Sequence, residues 1–352
     1  MSDFAIVIGV RHYPYLQEDL PSAHRDAIRF KRWLVNVAGL PNPKKEPDEA
    51  RHIELILSRV HNNDPTPVKT QIDRAFRRIF DFAEKEGGSR RLYIYFAGHG
   101  SSASQHHVAL LLADATLKEL NNSLNGQAYH EGLSQQILFP EQVMFYDCCR
   151  NHDGRNIGQP PPWSQMTDEE IAAQKSALAQ IKQYIFFAAG FTQYSNTMEP
   201  VLSRQRGFFT KALLEGLHGA EPDKDGNVTI VSLDRYIKER MKTMLEPIGI
   251  DQQPRLLSGD SSEDLVLVGG INATRTWVVV RVPPTTRSLT VFNENYDELR
   301  KLPVVDGVVE IPLYPGLYNF EIEPKPYRSR GQASRKVPAA LEWQFAFPGV
   351  QA

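Results

Sequence analysis

Short apolar runs alternate with segments of helical apolar spacing along the first 270 residues of the chain. Residues 4–10 form a continuous apolar run, which is typical of a strand buried in a parallel sheet. Residues 22–37 then carry apolar side chains on one helical face. This alternation predicts an α/β domain with a mostly parallel sheet flanked by helices. The same criteria predict further strands at 53–57, 92–96, 108–112, 143–146, 185–189 and 265–268, and further helices at 68–86, 168–183, 208–217 and 232–245.

The pattern changes after residue 269, where strand-like segments follow one another without helices. The last two alternate apolar and polar residues on either side of a Pro-Gly turn signal. We therefore predict two domains, an α/β domain at 1–269 and a small, sandwich-like all-β domain at 270–352. The second domain carries no obvious catalytic set, so we interpret it as an interaction or regulatory module. Its predicted strands are 277–282, 288–292, 308–313 and 317–322.

The tail after residue 324 is first basic and then aromatic. Trp343, Phe345 and Phe347 alternate, so all three can face one side of an extended segment and dock on a surface. That surface belongs either to this chain or to a partner. A solvated extension is the alternative, because termini are poorly ordered unless they are tied down. The basic residues are Lys325, Arg328, Arg330, Arg335 and Lys336.

Composition and charge exclude several classes of function. The 352 residues carry a net charge of −2, so bulk charge predicts neither a nucleic-acid partner nor an acidic membrane. The apolar runs are too short to span a bilayer, and the chain does not start like a signal peptide. The only two cysteines, Cys148 and Cys149, are adjacent, which disfavours a structural disulfide. We therefore expect a protein of the reducing cytoplasm.

Two reactive side chains follow predicted strands of the sheet. His99 comes after the strand at 92–96, and Cys149 after the strand at 143–146. Ligands of parallel sheets bind at the carboxyl ends of the strands, so these two side chains are expected to meet there. A thiolate that attacks and an imidazole that protonates the leaving amine suffice for acyl transfer. Gly100 is expected to offer its N–H to the developing oxyanion, together with the N–H of Cys149.

Residues next to the nucleophile candidate predict the character of the substrate pocket. Asp147 lies two positions before Cys149, so in an extended segment both side chains point the same way. A carboxylate there favours a substrate Arg or Lys and repels Asp or Glu. Cys148 alternates to the opposite side, and we predict that it packs under the sheet.

The segments YFAGHG and DCCRN resemble the histidine and cysteine motifs of the caspase-like clan, within its metacaspase and bacterial branch. His99 and Cys149 are 50 positions apart, similar to the spacing typical of caspases. The resemblance spans most of residues 3–268 and implies a caspase-like fold and a thiol protease. It also implies that the third residue of D-x-C, Cys149, is the nucleophile. The segment LPSAHRDA matches one whose acid joins the pocket, which implies a substrate-binding role for Asp26, and the stretch with Gln193 and Ser195 matches a pocket-lining segment.

We expect no metal or organic cofactor for this chemistry. Many metacaspases need calcium, but residues 223–227 lack the spacing of a calcium loop, and we predict a plain turn there; calcium activation is not assignable. The histidines lack metal-ligand spacing, and we predict them to be surface or loop residues; these are His106, His107, His130 and His152. The segment 151–183 is a candidate self-cleavage site through Arg155, Lys175 or Lys182, with an uncut loop as the alternative.

The sequence thus predicts a cysteine endopeptidase with a Cys149–His99 dyad that cleaves protein or peptide substrates after Arg or Lys. A gate is expected, either a regulatory protein, self-cleavage or an ion. The resemblance implies a bacterial role in defence or cell death. Two rivals remain: an inactive caspase-like scaffold that binds partners, and an aspartate-specific caspase.

Overall fold

A computed structural model of the chain divides into two units, which are described separately. The first comprises residues 1–221 and 230–265, and the second comprises residues 222–229 and 266–352. The described residues are 2–16, 19–47, 50–61, 64–104, 107–116, 122–152, 158–190, 207–219, 222–223, 226–258, 264–269, 276–293, 296, 298–304, 306–313, 316–324, 331–337 and 342–347.

A six-stranded sheet forms the centre of the first unit. Its order is β13-β11-β9-β5-β1-β2, with five parallel strands and the antiparallel strand β13 at one edge. Apolar residues line both faces of β1, and the residues from Phe4 to Ile8 are at most 1% exposed, as the unbroken apolar run predicts. The strands of this sheet are β1 (Ser2–Gly9), β2 (Ile53–Leu57), β5 (Ser89–Ala97), β9 (Glu141–Asp147), β11 (Lys182–Phe187) and β13 (Arg255–Ser258).

Helices cover the sheet where the sequence carries one apolar face. Helix α2 buries the face formed by Ile72, Phe76 and Ile79 against the sheet core. Helix α4 buries no residue, and a capping box between Thr167 and Glu170 starts it. No helix in the described ranges is long and apolar enough to cross a membrane. The helices are α1 (Pro21–Asn36), α2 (Lys69–Lys85), α3 (Gly126–Leu133), α4 (Asp168–Leu178), α5 (Phe208–Leu217) and α6 (Ile230–Leu245).

Short strands extend the carboxyl edge of the central sheet. A four-stranded sheet of order β10-β6-β7-β8 continues directly from the ends of β5 and β9. The apolar run at 108–112 predicted β7, whereas the other three strands are only two or three residues long, so periodicity does not reveal them. Their bounds are β6 (Gly100–Ser102), β7 (Ala109–Leu111), β8 (Ser123–Asn125) and β10 (Asn151–His152), and a separate hairpin consists of β3 (Arg59–His61) and β4 (Asp64–Thr66).

The second unit is all-β and consists of small sheets. One sheet has the order β18-β15-β21, another the order β17-β16-β19-β20, and apolar residues of both, such as Val280, Val291 and Phe320, share one core. The strand predicted at 265–268 belongs here, because β14 (Val266–Val268) pairs with β12 (Val228–Thr229) and not with the central sheet. The others are β15 (Thr276–Arg281), β16 (Ser288–Phe292), β17 (Glu298–Pro303), β18 (Val308–Leu313), β19 (Gly316–Glu323), β20 (Gln332–Val337) and β21 (Glu342–Ala346).

The aromatic tail docks on the chain's own β unit. Strand β21 pairs in parallel with β15, and the ring of Phe345 packs 4.8 Å from that of Phe320. Phe347 is 2% exposed, so a solvated extension is wrong for residues 342–347. Arg335 holds its guanidinium carbon 5.4 Å from the centroid of the Phe345 ring. The basic residues Lys325, Arg328 and Arg330 lie outside the described residues.

The architecture confirms the predicted fold class, an α/β sheet domain followed by an all-β region. Among the described elements, the sequence pattern located the five parallel strands and the helices α1, α2, α4, α5 and α6, but it predicted neither α3 nor β13.

Candidate active site

Neighbouring strands bring the segments of His99 and Cys149 side by side. Strands β5 and β9 are parallel neighbours whose last pair is Ala97 with Asp147. After the few residues that separate β5 from β6 and β9 from β10, Ser101 of β6 pairs with Asn151 of β10. The partners in each of these pairs are 50 positions apart in the sequence, and so are His99 and Cys149. His99 and Cys149 therefore occupy matching positions between the two pairs. Adjacent strands lie about 4.8 Å apart, which is within reach of two cooperating side chains.

Gly100 allows the two segments to approach. A Cβ at Gly100 would lie 2.7 Å from the Cys148 sulfur and 2.7 Å from the carbonyl oxygen of Cys149. Both distances are shorter than any normal contact, so a side chain here would displace the segment that carries Cys149. The histidine loop and the cysteine segment therefore fit together only with glycine at this position.

The N–H of Gly100 faces the cysteine segment. Gly100 pairs with Leu110 of β7, and the adjacent bond runs from the Leu111 N–H to the His99 carbonyl oxygen at 3.0 Å. In an antiparallel ladder this pattern makes Gly100 and Leu110 a non-hydrogen-bonded pair. The Gly100 N–H consequently points away from β7, toward the side on which Asn151 pairs.

The two cysteines have different environments. Cys148 is 1% exposed in the apolar core, as predicted, and burial raises the pKa of its thiol well above the usual value. Cys149 is partly exposed, and neither cysteine forms a disulfide. Only Cys149 is therefore accessible to a substrate.

Arg150 holds the cysteine segment through buried contacts. It was not among the site residues predicted from the sequence. It is 1% exposed, its Nε donates to Ser102 Oγ at 3.2 Å, and its guanidinium carbon lies 4.3 Å from the centroid of the Phe187 ring. Burial lowers the pKa of this side chain. Its place directly after the D-x-C motif was the one available signal.

Asp26 and Asp147 meet at Gly207, although they are 121 positions apart in the sequence. A Cβ at Gly207 would lie 2.4 Å from Asp147 Oδ2 and 3.4 Å from Asp26 Oδ2. The Gly207 N–H donates to Asp26 Oδ2 at 2.9 Å. Asp26 is 1% and Asp147 8% exposed, so two carboxylates share one buried site next to the cysteine segment.

A chain of hydroxyls orients Asp147. Thr210 donates from Oγ1 to Asp147 Oδ2 at 2.7 Å, and the Tyr95 hydroxyl lies 2.6 Å from the same Thr210 oxygen. Thr210 and Tyr95 are both fully buried. Neither was identified from the sequence, because Thr210 lies in a helix and Tyr95 in a strand where apolar packing is the default.

The charge of Asp26 depends on its surroundings. The pKa of Asp26 is raised to about 7, mainly by burial and in addition by the nearby Asp147 carboxylate. Arg29 opposes this shift, since its guanidinium donates to Asp26 Oδ1 at 2.8 Å. The pair of acids thus includes one carboxyl that titrates near neutral pH.

Several other predicted residues have different fates. Gln193, Ser195, Arg155 and His106 lie outside the described residues. Residues 224 and 225 of the turn predicted at 223–227 lie outside the described residues, and the Asn227 N–H donates to Asp223 Oδ1 at 2.7 Å. Among the described residues, no group of three or more His, Cys, Asp or Glu side chains could hold a metal ion.

The prediction of surface or loop histidines was wrong for His130, which is buried in α3, whereas His107 lies in the loop between β6 and β7 but is buried there. His130 is 7% exposed, and its Nε2 lies 3.1 Å from the Tyr146 hydroxyl. The imidazole ring stacks on the Tyr146 ring. Burial lowers the pKa of His130 to about 3. His107 is 5% exposed, and its Nδ1 accepts a bond from the Ala103 N–H at 3.1 Å. Both rings are hydrogen-bonding partners inside the unit, a role that residue spacing cannot reveal.

Two comparisons with known proteins show what this chain is similar to. The family model of the caspase domain matches residues 2–266. The chain is also 26% identical, over 266 residues, to a probable protease of a Desulfuromonadales bacterium. The alignment covers 68% of this chain but 30% of the relative, so the chain spans less than a third of that protein's length.

Proposed function

Since this chain belongs to the caspase-domain family of cysteine peptidases, we propose that Cys149 is its nucleophile and His99 its general acid and base. The observation that carries the proposal is the matched strand register on both sides of these two residues. The partial exposure of Cys149 supports the assignment, because the neighbouring Cys148 is buried.

The proposed reaction forms and then hydrolyses a thioester. The Cys149 thiolate adds to the substrate carbonyl carbon, and the resulting oxyanion accepts bonds from the N–H groups of Gly100 and Cys149. The intermediate collapses as the His99 imidazolium protonates the leaving amine. A water molecule then attacks the thioester while His99 takes its proton, which releases the carboxylic acid and the free thiol.

The acid pair supports a preference for Arg or Lys at the residue before the scissile bond. Asp26 and Asp147 present carboxylates at Gly207, close to the segment that carries Cys149. A cationic side chain gains charge-assisted hydrogen bonds there, whereas an acidic one meets like charge. The aspartate-specific alternative needs a basic pocket at this place, and the contacts of Asp147 argue against it.

We also propose that the peptidase is regulated, as an always active endopeptidase would damage its own cell. Self-cleavage within 151–183 is one route, and among the described basic residues of this segment Lys175 is exposed on α4, a helix that buries nothing. Lys182 lies in a paired strand and is a poorer site. We further propose that the protein has an activating protein partner, acts in bacterial defence or cell death, and is located in the cytoplasm. The proposal includes neither nucleic acid nor a membrane as a partner.

Fluorogenic peptides that end in Arg, Lys or Asp test this function. We expect turnover of the Arg and Lys peptides, and a loss of at least about a thousandfold in Cys149→Ala. Cys148→Ala is the matched control, since it removes the adjacent thiol and should keep most activity. Mass spectrometry of the incubated protein maps any internal cut. Equal inertness of wild type and Cys149→Ala, with and without prior cleavage, would favour the inactive scaffold.

A further inference from the structure

Tyr13 is a fully buried tyrosine whose hydroxyl contacts the backbone of the histidine loop. Its oxygen accepts a bond from the His99 N–H at 2.8 Å and donates to the Leu111 carbonyl oxygen at 3.2 Å. Its ring centroid lies 4.6 Å from that of the His99 imidazole. Burial raises the pKa of Tyr13 well above its usual value, so the hydroxyl remains protonated and able to donate.

The Tyr13 hydroxyl occupies the place of a backbone hydrogen bond between His99 and Leu111, next to the β6–β7 ladder. The register that pairs Gly100 with Leu110 sets His99 opposite Leu111. Such a pair normally exchanges two N–H···O bonds. One is present, from the Leu111 N–H to the His99 oxygen at 3.0 Å. The second is replaced by the relay from His99 N–H through the Tyr13 hydroxyl to the Leu111 oxygen.

We propose that Tyr13 is a positioning residue of this peptidase, whose hydroxyl is inserted into the ladder and holds the His99 N–H away from the Leu111 carbonyl. The inference rests on the proposed role of His99. The insertion affects the His99–Leu111 pair alone, because the neighbouring pair Gly100–Leu110 keeps the regular register. His99 is thereby kept on the side of the Cys149 segment.

The space around Gly98 supports this role. A Cβ at Gly98 would lie 2.4 Å from the Tyr13 hydroxyl oxygen, so the turn before His99 is closely fitted to that oxygen. Removing the hydroxyl leaves the part-buried His99 N–H and Leu111 carbonyl without their bridge. The direct bond of a regular ladder would satisfy both, and its formation would draw His99 toward β7.

Tyr13→Phe tests the proposal, because it removes the hydroxyl and retains the ring on the imidazole. Tyr93→Phe is the matched control, since Tyr93 is also fully buried and its hydroxyl accepts a bond from Arg91 at 2.7 Å, in the amino-terminal half of β5. The full-length variants are treated with iodoacetamide at pH 7, and the rate of labelling at Cys149 is followed by mass spectrometry. The rate reports the reactive thiolate even without substrate turnover. Melting temperatures are measured in parallel.

We expect His99→Ala and Tyr13→Phe each to slow the labelling of Cys149 at least about tenfold, since a displacement of about 1 Å can cost a hundredfold in a catalytic site. Tyr93→Phe should label within about twofold of wild type at a comparable loss of melting temperature. With peptide substrates, Tyr13→Phe should lower kcat and leave KM nearly unchanged.

The outcomes separate this inference from the proposed dyad. Slow labelling of His99→Ala together with wild-type labelling of Tyr13→Phe overturns the role of Tyr13 and leaves the dyad standing. Unchanged labelling of His99→Ala overturns both. Equal slowing in Tyr13→Phe and Tyr93→Phe, in step with their melting temperatures, shows general loosening and also overturns the role of Tyr13.

Discussion

Raising the pH from 5 to 8 should make the peptidase more selective for arginine over citrulline, its neutral isostere. The pKa of Asp26 is about 7, mainly because the carboxyl is buried. The ionised fraction of this carboxyl is then about 1% at pH 5 and about 90% at pH 8. Because Asp147 and Asp26 meet at Gly207, ionisation of Asp26 adds a second negative charge to the same site.

The size of the effect follows from the free energy of one charge-assisted hydrogen bond. Such a bond contributes about 1.5–3 kcal/mol, and about 1.4 kcal/mol corresponds to a tenfold change. Selectivity should therefore rise about ten- to hundredfold. Arg29 already donates to Asp26 Oδ1 at 2.8 Å, which favours the lower end. By linkage, a bound guanidinium lowers the pKa of Asp26 by about one to two pH units. The increase in selectivity should therefore occur between about pH 5 and 7.

The assay compares two fluorogenic peptides that differ only in arginine or citrulline before the scissile bond. The ratio of their kcat/KM values cancels the ionisation of the nucleophile and of His99, which both peptides require. Asp26→Asn should give a ratio that is low and independent of pH. Asp3→Asn is the matched control, because Asp3 is also buried and paired with an arginine, Arg90, but lies at the amino end of β1.

A ratio that stays flat from pH 5 to 8 in wild type, while both peptides are cleaved through Cys149, would refute the reasoning. Either Asp26 would then not face the substrate cation, or its carboxyl would not titrate in this range. A rising ratio that persists in Asp26→Asn would assign the titration to another group.

Three further predictions concern the pocket, acid stability and the tail. Gly207→Ala should lower kcat/KM for arginine peptides at least about tenfold, because the new Cβ would lie 2.4 Å from Asp147 Oδ2. The labelling of Cys149 should not slow. An equal loss of kcat/KM for citrulline peptides would contradict this prediction. The folded-state pKa of His130 is lowered to about 3, so its contribution to stability is present above about pH 6.5 and lost as the pH falls. Urea unfolding at pH 4.5 and 7.5 should show wild type losing about 2–3 kcal/mol more than His130→Gln, whereas parallel losses would exclude a buried neutral ring. Phe347→Ala should destabilise the β unit by about 3–5 kcal/mol in thermal or urea unfolding, and a change below about 1 kcal/mol would mean that the tail does not dock in solution.

Part of the site was predictable because it depends on local sequence. A strand that ends in Ala-Gly-His-Gly and another that ends in Asp-Cys-Cys place reactive groups at the carboxyl edge of a parallel sheet, whatever the rest of the chain does. The two-residue periodicity of a strand likewise separates Cys148, which is buried, from Cys149, which is partly exposed.

The contacts around these groups could not be predicted, because each joins segments that are distant along the chain. The hydroxyl of Tyr13 reaches His99 across 86 positions, and Thr210 reaches Asp147 across 63. Neither residue carries a motif, and a buried tyrosine or threonine usually only packs. His130 was misjudged for the same reason, since its ring finds Tyr146 only once α3 has folded onto the sheet.

The amino-acid order by itself determined the two kinds of architecture, the strands that carry His99 and Cys149, and the acid beside Cys149. These follow from side-chain periodicity and from short segments, which act within one element. The tertiary structure alone decided the register that sets the two reactive residues at matching positions, the meeting of Asp26 with Asp147, and the insertion of Tyr13 into a strand ladder. Those features depend on burial and on hydrogen bonds between distant segments, and both arise only when the chain has closed around its core.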